Sequence, residues 1–134
     1  MNASTAFKNK TLTTLLATLG GTLGLHRFFL HGTGFWPAYA YSGVTAIGML
    51  AALVWLPLLA IALLPMFTGF IEALMFGLTP DAKWDAQWNA ASGRENDSGW
   101  AVVFIVILTL AGGTTLLMSL LAISFQALYG AVPG

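Results

Sequence analysis

Gly20–Gly32, GGTLGLHRFFLHG, closes the first apolar segment of the chain and concentrates most of its chemistry. The stretch holds both histidines, one of the five basic residues and four of the fifteen glycines. Two readings compete for it: a catalytic or ligand site, or a structural corner at which an apolar helix ends and meets polar surroundings. The residues on either side decide between them.

Hydrophobic residues make up 57% of the 134-residue chain and charged ones 7%, against about 25% charged in ordinary soluble domains. A single domain so composed has too little polar surface to coat a water-soluble particle, which places it in a lipid bilayer. The formal net charge is zero and the only close basic pair is Lys8 and Lys10, so nucleic acid is excluded as a partner. With no cysteine, disulfides and thiolate metal sites are excluded too. The start, MNASTAFKNK followed by an apolar run, has the outline of a signal peptide. No A-x-A-like site follows it, so an uncleaved anchor is expected.

Thr11–Leu25 is uncharged, and Leu12, Leu15, Leu16, Leu19 and Leu23 fall on one helical stripe opposite threonine, alanine and glycine. That period predicts a helix with lipid on one side and close neighbours on the other, Gly20 and Gly24 giving a small-xxx-small step. Phe35–Leu78 carries a single charge, Glu72, and is too long for one crossing, since about 20 residues span the hydrocarbon core. Phe35, Trp36, Tyr39 and Tyr41 at one end and Trp55 at the other suit interfacial belts. Pro57 suits the first turn of a second helix, which Pro65 is expected to kink.

Residues 79–99, TPDAKWDAQWNAASGRENDSG, form the one long polar connection. Thr79-Pro80-Asp81 reads as an N-cap and first turn. Trp84 and Trp88 would share one face of a short helix at the membrane surface. Asn96-Asp97-Ser98 fits a glycosylation acceptor, a tripeptide that matches often by chance. Trp100–Tyr129 is uncharged, 30 residues long and bracketed by aromatics, a membrane span with Ala111, Thr115 and Ser119 as its small packing face.

The positive-inside rule bears on the number of crossings. Three spans, with 35–55 re-entrant or interfacial, put Lys8, Lys10, Lys83 and Arg94 on one side. Four spans with the N-terminus inside put only Lys8 and Lys10 there. Charge favours three and the apolarity of 35–55 favours four. Four helical segments are expected, with the number of full crossings open.

Lys8-Asn9-Lys10-Thr11, an apolar run, and then Gly20-Gly21-Thr22-Leu23-Gly24-Leu25-His26-Arg27-Phe28-Phe29-Leu30 resemble the opening of the bacterial TM-two (two-transmembrane) domain family. Glu72 stands where that family has an acidic residue late in its following helix, and Pro80–Asn89 is similar to its polar tail. The resemblance covers roughly 8–89. Phe29 stands for the usual tyrosine, His31 interrupts Leu-Gly, the interval to the acidic residue is long, and the last helix is an addition. The resemblance implies architecture rather than activity.

Arg27 has two readings: it ends the first helix and reaches headgroups, or it pairs with Glu72 inside the bundle. Glu72 shares a helix face with Thr68 and Gly69, which points it inward. His26 and His31 would diverge by about 140° on one helix, so they cannot chelate one metal, and no cofactor is expected. No serine has a GxSxG context, and Asp81, Asp85, Glu95 and Asp97 read as solvated surface.

The sequence therefore predicts an all-α integral membrane protein, a small bundle of three to four transmembrane or re-entrant helices. A TM-two-like domain at 8–89, a polar linker at 90–99 and an added helix at 100–129 make up the chain. Gly20, Gly21, Gly24, His26, Arg27, Phe28, Phe29 and Glu72 are its motif residues. The expected role is non-enzymatic: a partner subunit or scaffold in the bacterial cytoplasmic membrane, bound to lipid and to a membrane protein or a second copy. A small oligomeric channel or transporter component using Glu72 and Arg27 is the alternative.

Overall fold

Asn9 starts the first helix by accepting a hydrogen bond from the Leu12 amide (2.9 Å) on its side-chain oxygen, which satisfies one of the amides a helix start leaves open. The computed structural model describes residues 6–130, and its regular structure there is entirely helical: α1 (Lys10–Gly20), α2 (Leu25–His31), α3 (Trp36–Ala52), α4 (Leu59–Leu78), α5 (Asp81–Trp88) and α6 (Gly99–Tyr129). Short 3-10 turns, Gly21–Leu23 and Leu56–Leu58, precede α2 and α4. The start of the N-terminal polar segment and the last residues of the tail lie outside the described residues.

The leucine stripe of α1 faces outward, with Leu12, Leu15 and Leu19 exposed, while Lys10, Thr13, Thr14, Ala17 and Gly20 are buried. The threonines carry polarity into that contact without open donors. The Thr13, Thr14 and Thr18 hydroxyls bond the carbonyls of Asn9, Lys10 and Thr14 one turn back.

The continuous helix expected over 11–25 is instead a hairpin. α1 stops at Gly20, the chain tightens through Gly21–Leu23, and Gly24 takes a left-handed φ of 72°, a conformation that ends helices cheaply only at glycine. α2 then returns toward the start of α1, and the Lys8 ammonium bonds the Phe29 carbonyl (2.7 Å). The expected Gly20/Gly24 step therefore does not lie on one helix, yet both glycines pack: a Cβ at Gly20 would meet the Leu25 side chain, and one at Gly24 would lie 2.7 Å from the Ala38 carbonyl on α3. Gly21 packs as well, where a Cβ would lie 2.7 Å from Gly69 Cα on α4.

α3 runs away from the charged end and α4 comes back along it, with Gly48 set tightly against Ala62. Pro57 lies in the turn before α4 and Pro65 is buried within it. Thr79, expected as the N-cap of the next helix, closes α4 instead, its amide bonding the Phe76 carbonyl; Pro80 immediately precedes α5. α6 packs against α1 and α4 through Val102 and Thr109, its buried residues, and through Val106 and Gly113. Two segments, Leu56–Leu78 and Gly99–Tyr129, are long and apolar enough to cross a membrane. α1, at 11 residues, is not.

The close helix approach at Gly69 gives a direct test. Gly69→Val would force a side chain toward the Ala17 carbonyl, 2.8 Å from a Cβ there. We expect a loss of about 1–3 kcal/mol, read as a lower unfolding midpoint in detergent. Gly112→Ala, with nothing within 4 Å and alanine the better helix former, should not lower the midpoint.

Candidate functional site

Glu72, on the inward face of α4, is the meeting point of the polar side chains in the bundle. Its relative exposure is 8%, and His26 beside it is fully buried. Arg27 reaches Oε1 through Nη2 and Oε2 through Nε (3.2 Å). His26 Nε2 meets Oε2, and the Tyr41 hydroxyl donates to Oε1 (2.6 Å). A carboxylate offers about four acceptor positions, and these donors from α2 and α3 fill them.

The hairpin is what aims these groups. Gly24 turns the chain so that His26 and Arg27, consecutive in α2, both face α4. The His26 ring is held edge-on to Tyr41 at 5.4 Å and tilted against Phe76 at 6.0 Å. His26 Nδ1 is buried with no hydrogen-bond partner, which fits the tautomer that carries its proton on Nε2 and donates it to Glu72. Gly69 shares the inward face of Glu72, as expected. Thr68 does not: it is exposed and its hydroxyl bonds the Leu64 carbonyl.

Of the two readings of Arg27, the pairing with Glu72 is the one observed. His26 joins it, and His31 goes elsewhere, stacked on Phe35 at 4.0 Å and edge-on to Trp88 at 5.2 Å. Phe28 packs edge-on to Tyr39, and Phe29 lies beneath the Lys8 ammonium, so both brace the corner. Gly20 and Gly21 are buried within it. Ala111, Thr115 and Ser119 are exposed and take no part in the packing of α6 on the bundle. Among the described residues, no group of three or more His, Asp or Glu side chains could hold a metal ion.

A second polar cluster sits at the charged end, where solvated carboxylates and a surface helix were expected. Trp84 is buried instead, edge-on to Phe76, with its indole N–H donating to the Lys8 carbonyl (2.9 Å). The Asn89 and Asn96 side chains donate to that same carbonyl. Asn96 also accepts from the Lys10 amide (2.9 Å) and donates to Asp85 (2.6 Å), so the side chain of the glycosylation tripeptide is committed to packing. Lys10, buried, pairs with Asp81 (2.7 Å) and bonds the Thr79 carbonyl (2.5 Å). Glu95 and Asp97 alone among these acids remain fully on the surface. The polar stretch of 79–98 is thus a cap docked on the start of α1.

Burial alone would raise the Asp81 carboxyl, but the Lys10 ammonium and the Ser98 amide and hydroxyl outweigh it and hold it at about 2. Burial likewise works against the ionised form of Asp85, and the Asn89 side chain with the Asn96 amide and side chain carry the balance downward.

Sequence reasoning missed Tyr41, which was assigned to an interfacial belt, and gave Lys10, Asn89 and Asn96 no packing role. The available signal was the phenol itself, a polar tip on a ring that takes a hydrogen-bond partner whenever it is buried. Comparison with known protein families, with curated proteins and with solved structures finds no match.

Two outcomes test the clusters. Glu72→Ala leaves Arg27 and His26 without their acceptor and should cost about 3–5 kcal/mol, while Tyr41→Phe should cost about 1.5–3 kcal/mol, both read by denaturation in detergent. Exchanging the charges of residues 27 and 72 should not restore the loss, because an arginine at 72 would face the His26 and Tyr41 donors. Asp81, depressed when folded, adds stability that is full above its unfolded value of about 3.9 and is lost as pH falls toward 2. The destabilisation by Asp81→Asn should therefore be largest near neutral pH and shrink as pH falls from about 4 through about 2.

Proposed function

We propose that this chain is an integral membrane protein acting as a non-enzymatic helical module, a partner subunit or scaffold in the cytoplasmic membrane. One observation carries the reading: α6 keeps an outer face free while a different face makes its intramolecular contacts. Ala111, Thr115 and Ser119 are exposed, a Cβ on Gly112 would meet nothing within 4 Å, and only 11% of the apolar window of this helix is buried. In lipid, where apolar area gives helices little reason to associate, small residues let backbones approach closely.

The saturated carboxylate supports the same reading. Glu72 has its acceptor positions filled by side chains of its own chain, so it serves architecture, and the channel or transporter alternative draws no support from it. The meeting of His26, Arg27 and Glu72 is also the arrangement we infer for a TM-two-like domain, with the glycine turn and the acidic residue joined in one corner and the basic pair at 8 and 10 held at the open end of the hairpin.

Purification in a mild detergent, followed by mass spectrometry of the intact assembly, tests the proposal. The expected result is an assembly larger than one chain, from a second copy or another membrane protein, that is lost when Thr115→Trp fills the small face. A stable monomer that carries no other protein would overturn it.

A further inference from the structure

The arrangement of the hairpin bears on how the chain threads a bilayer, a question that rests on the membrane reading above. α1 is 11 residues long, about 16 Å at 1.5 Å per residue, or roughly half of a 30 Å hydrocarbon core. Its tip stops midway along α4: Gly21 meets Gly69, near the centre of Leu59–Leu78. The return arm then ends beside the chain that entered, with Lys8 on the Phe29 carbonyl and His31 against Trp88 of α5.

Turns at membrane depth are tolerated only where protein satisfies their backbone, and this one is satisfied by α3. Thr45 Oγ1 donates to the Thr22 carbonyl (2.8 Å) and Ser42 Oγ to the Leu23 carbonyl (2.8 Å). The Gly24 amide closes the turn on the Gly21 carbonyl (3.1 Å).

Charge is distributed just as unevenly. No charged residue lies between Arg27 and Glu72 or beyond Asp97. Lys8, Lys10, Lys83 and Arg94 share one end, tied together by Lys10–Asp81, by the three donors on the Lys8 carbonyl and by Arg94 over the Phe7 ring at 4.3 Å. The opposite end, around Leu53, Val54 and Trp55, is exposed and carries no charge.

We propose that Lys10–His31 is a re-entrant hairpin that enters to mid-depth and leaves through the same face, and that this face is the cytoplasmic one. α4 and α6 are then crossings, and so is α3, whose 17 residues stand at the short end of the range of about 17–25 that spans a hydrocarbon core. The connection between α3 and α4 and the end of α6 lie outside. This topology has three crossings, as in the first of the two open from the sequence, but its re-entrant element is the first segment and not 35–55. Basic residues set orientation by their excess in short cytoplasmic segments, with acidic residues counting little, and here every basic residue outside the hairpin lies on one side.

The chain has no cysteine, so single-cysteine variants of the full chain report sidedness directly. Thr33→Cys, Val54→Cys, Lys83→Cys and Tyr129→Cys stand at exposed positions, and Leu23→Cys stands at the hairpin tip. A membrane-impermeant maleimide should label 54 and 129 on intact cells, and 33 and 83 only in inside-out vesicles. Position 23 should react only after detergent is added. Labelling of 33 and 83 from opposite sides would overturn the re-entrant hairpin in favour of a crossing first helix. Labelling of 23 together with 33 would place the hairpin on the surface and overturn it as well. If 33 and 83 react together but on intact cells, the orientation is overturned. Release of the chain by alkaline carbonate is a separate result, and it would remove the membrane reading on which the topology stands.

Discussion

The Glu72 carboxylate is the interaction on which the arrangement of the first three helices depends. A charge moved out of water without partners costs several kcal/mol, and its burial is tolerated when geometry and hydrogen bonding are close to complete. Here Arg27 neutralises the charge, and His26 and Tyr41 fill the positions that remain. α2 is seven residues long, far below the length at which an isolated helix holds itself together in water. Its place is fixed by what its side chains reach. Two of those side chains reach Glu72 on α4, and Tyr41 brings α3 to the same point.

A second lock closes the open end of the hairpin. Lys10 is buried between Asp81 and the Thr79 carbonyl, and the Lys8 carbonyl receives Trp84, Asn89 and Asn96. The polar cap therefore ties the start of α1 to the end of α4, while Glu72 ties the return arm to the middle of α4. Beyond both locks, at the tip of the hairpin, lies the Gly21–Gly69 contact, where no side chain separates the backbones. The result is a short element held at both ends and at its tip against longer helices, with the charges of the chain gathered toward one side.

Much of this was legible in the residues. The leucine stripe over 12–19 faces outward as its period requires, and of the two neighbours from which the inward side of Glu72 was read, Gly69 lies on that face and Thr68 does not. The pairing of Arg27 with Glu72 was one of two readings open from the sequence. A corner at the glycines was legible, but the reversal of the chain there was not, because periodicity reports which face of a helix is apolar and says nothing about a turn that hinges on the sign of φ at Gly24. Trp84 was read at the membrane surface, and Asn89 and Asn96 were given no packing role, for a related reason: all three donate to a backbone carbonyl, that of Lys8, far away in sequence and invisible to any side-chain pattern. Ala111, Thr115 and Ser119 share the spacing of a packing face, yet the bundle uses Val102, Val106, Thr109 and Gly113. Both faces of α6 are apolar enough, and only the position of α1 and α4 selects between them.

The central claim is that Glu72 holds the return arm of the hairpin in place. Amide hydrogen exchange across Leu25–His31, compared between the native chain and Glu72→Gln in the same bilayer mimetic, tests it most directly. The account predicts that the α2 amides lose protection in Glu72→Gln while those of α6 keep theirs. Unchanged protection in α2 would contradict it, because the hairpin would then be held by its turn and its packing without the carboxylate.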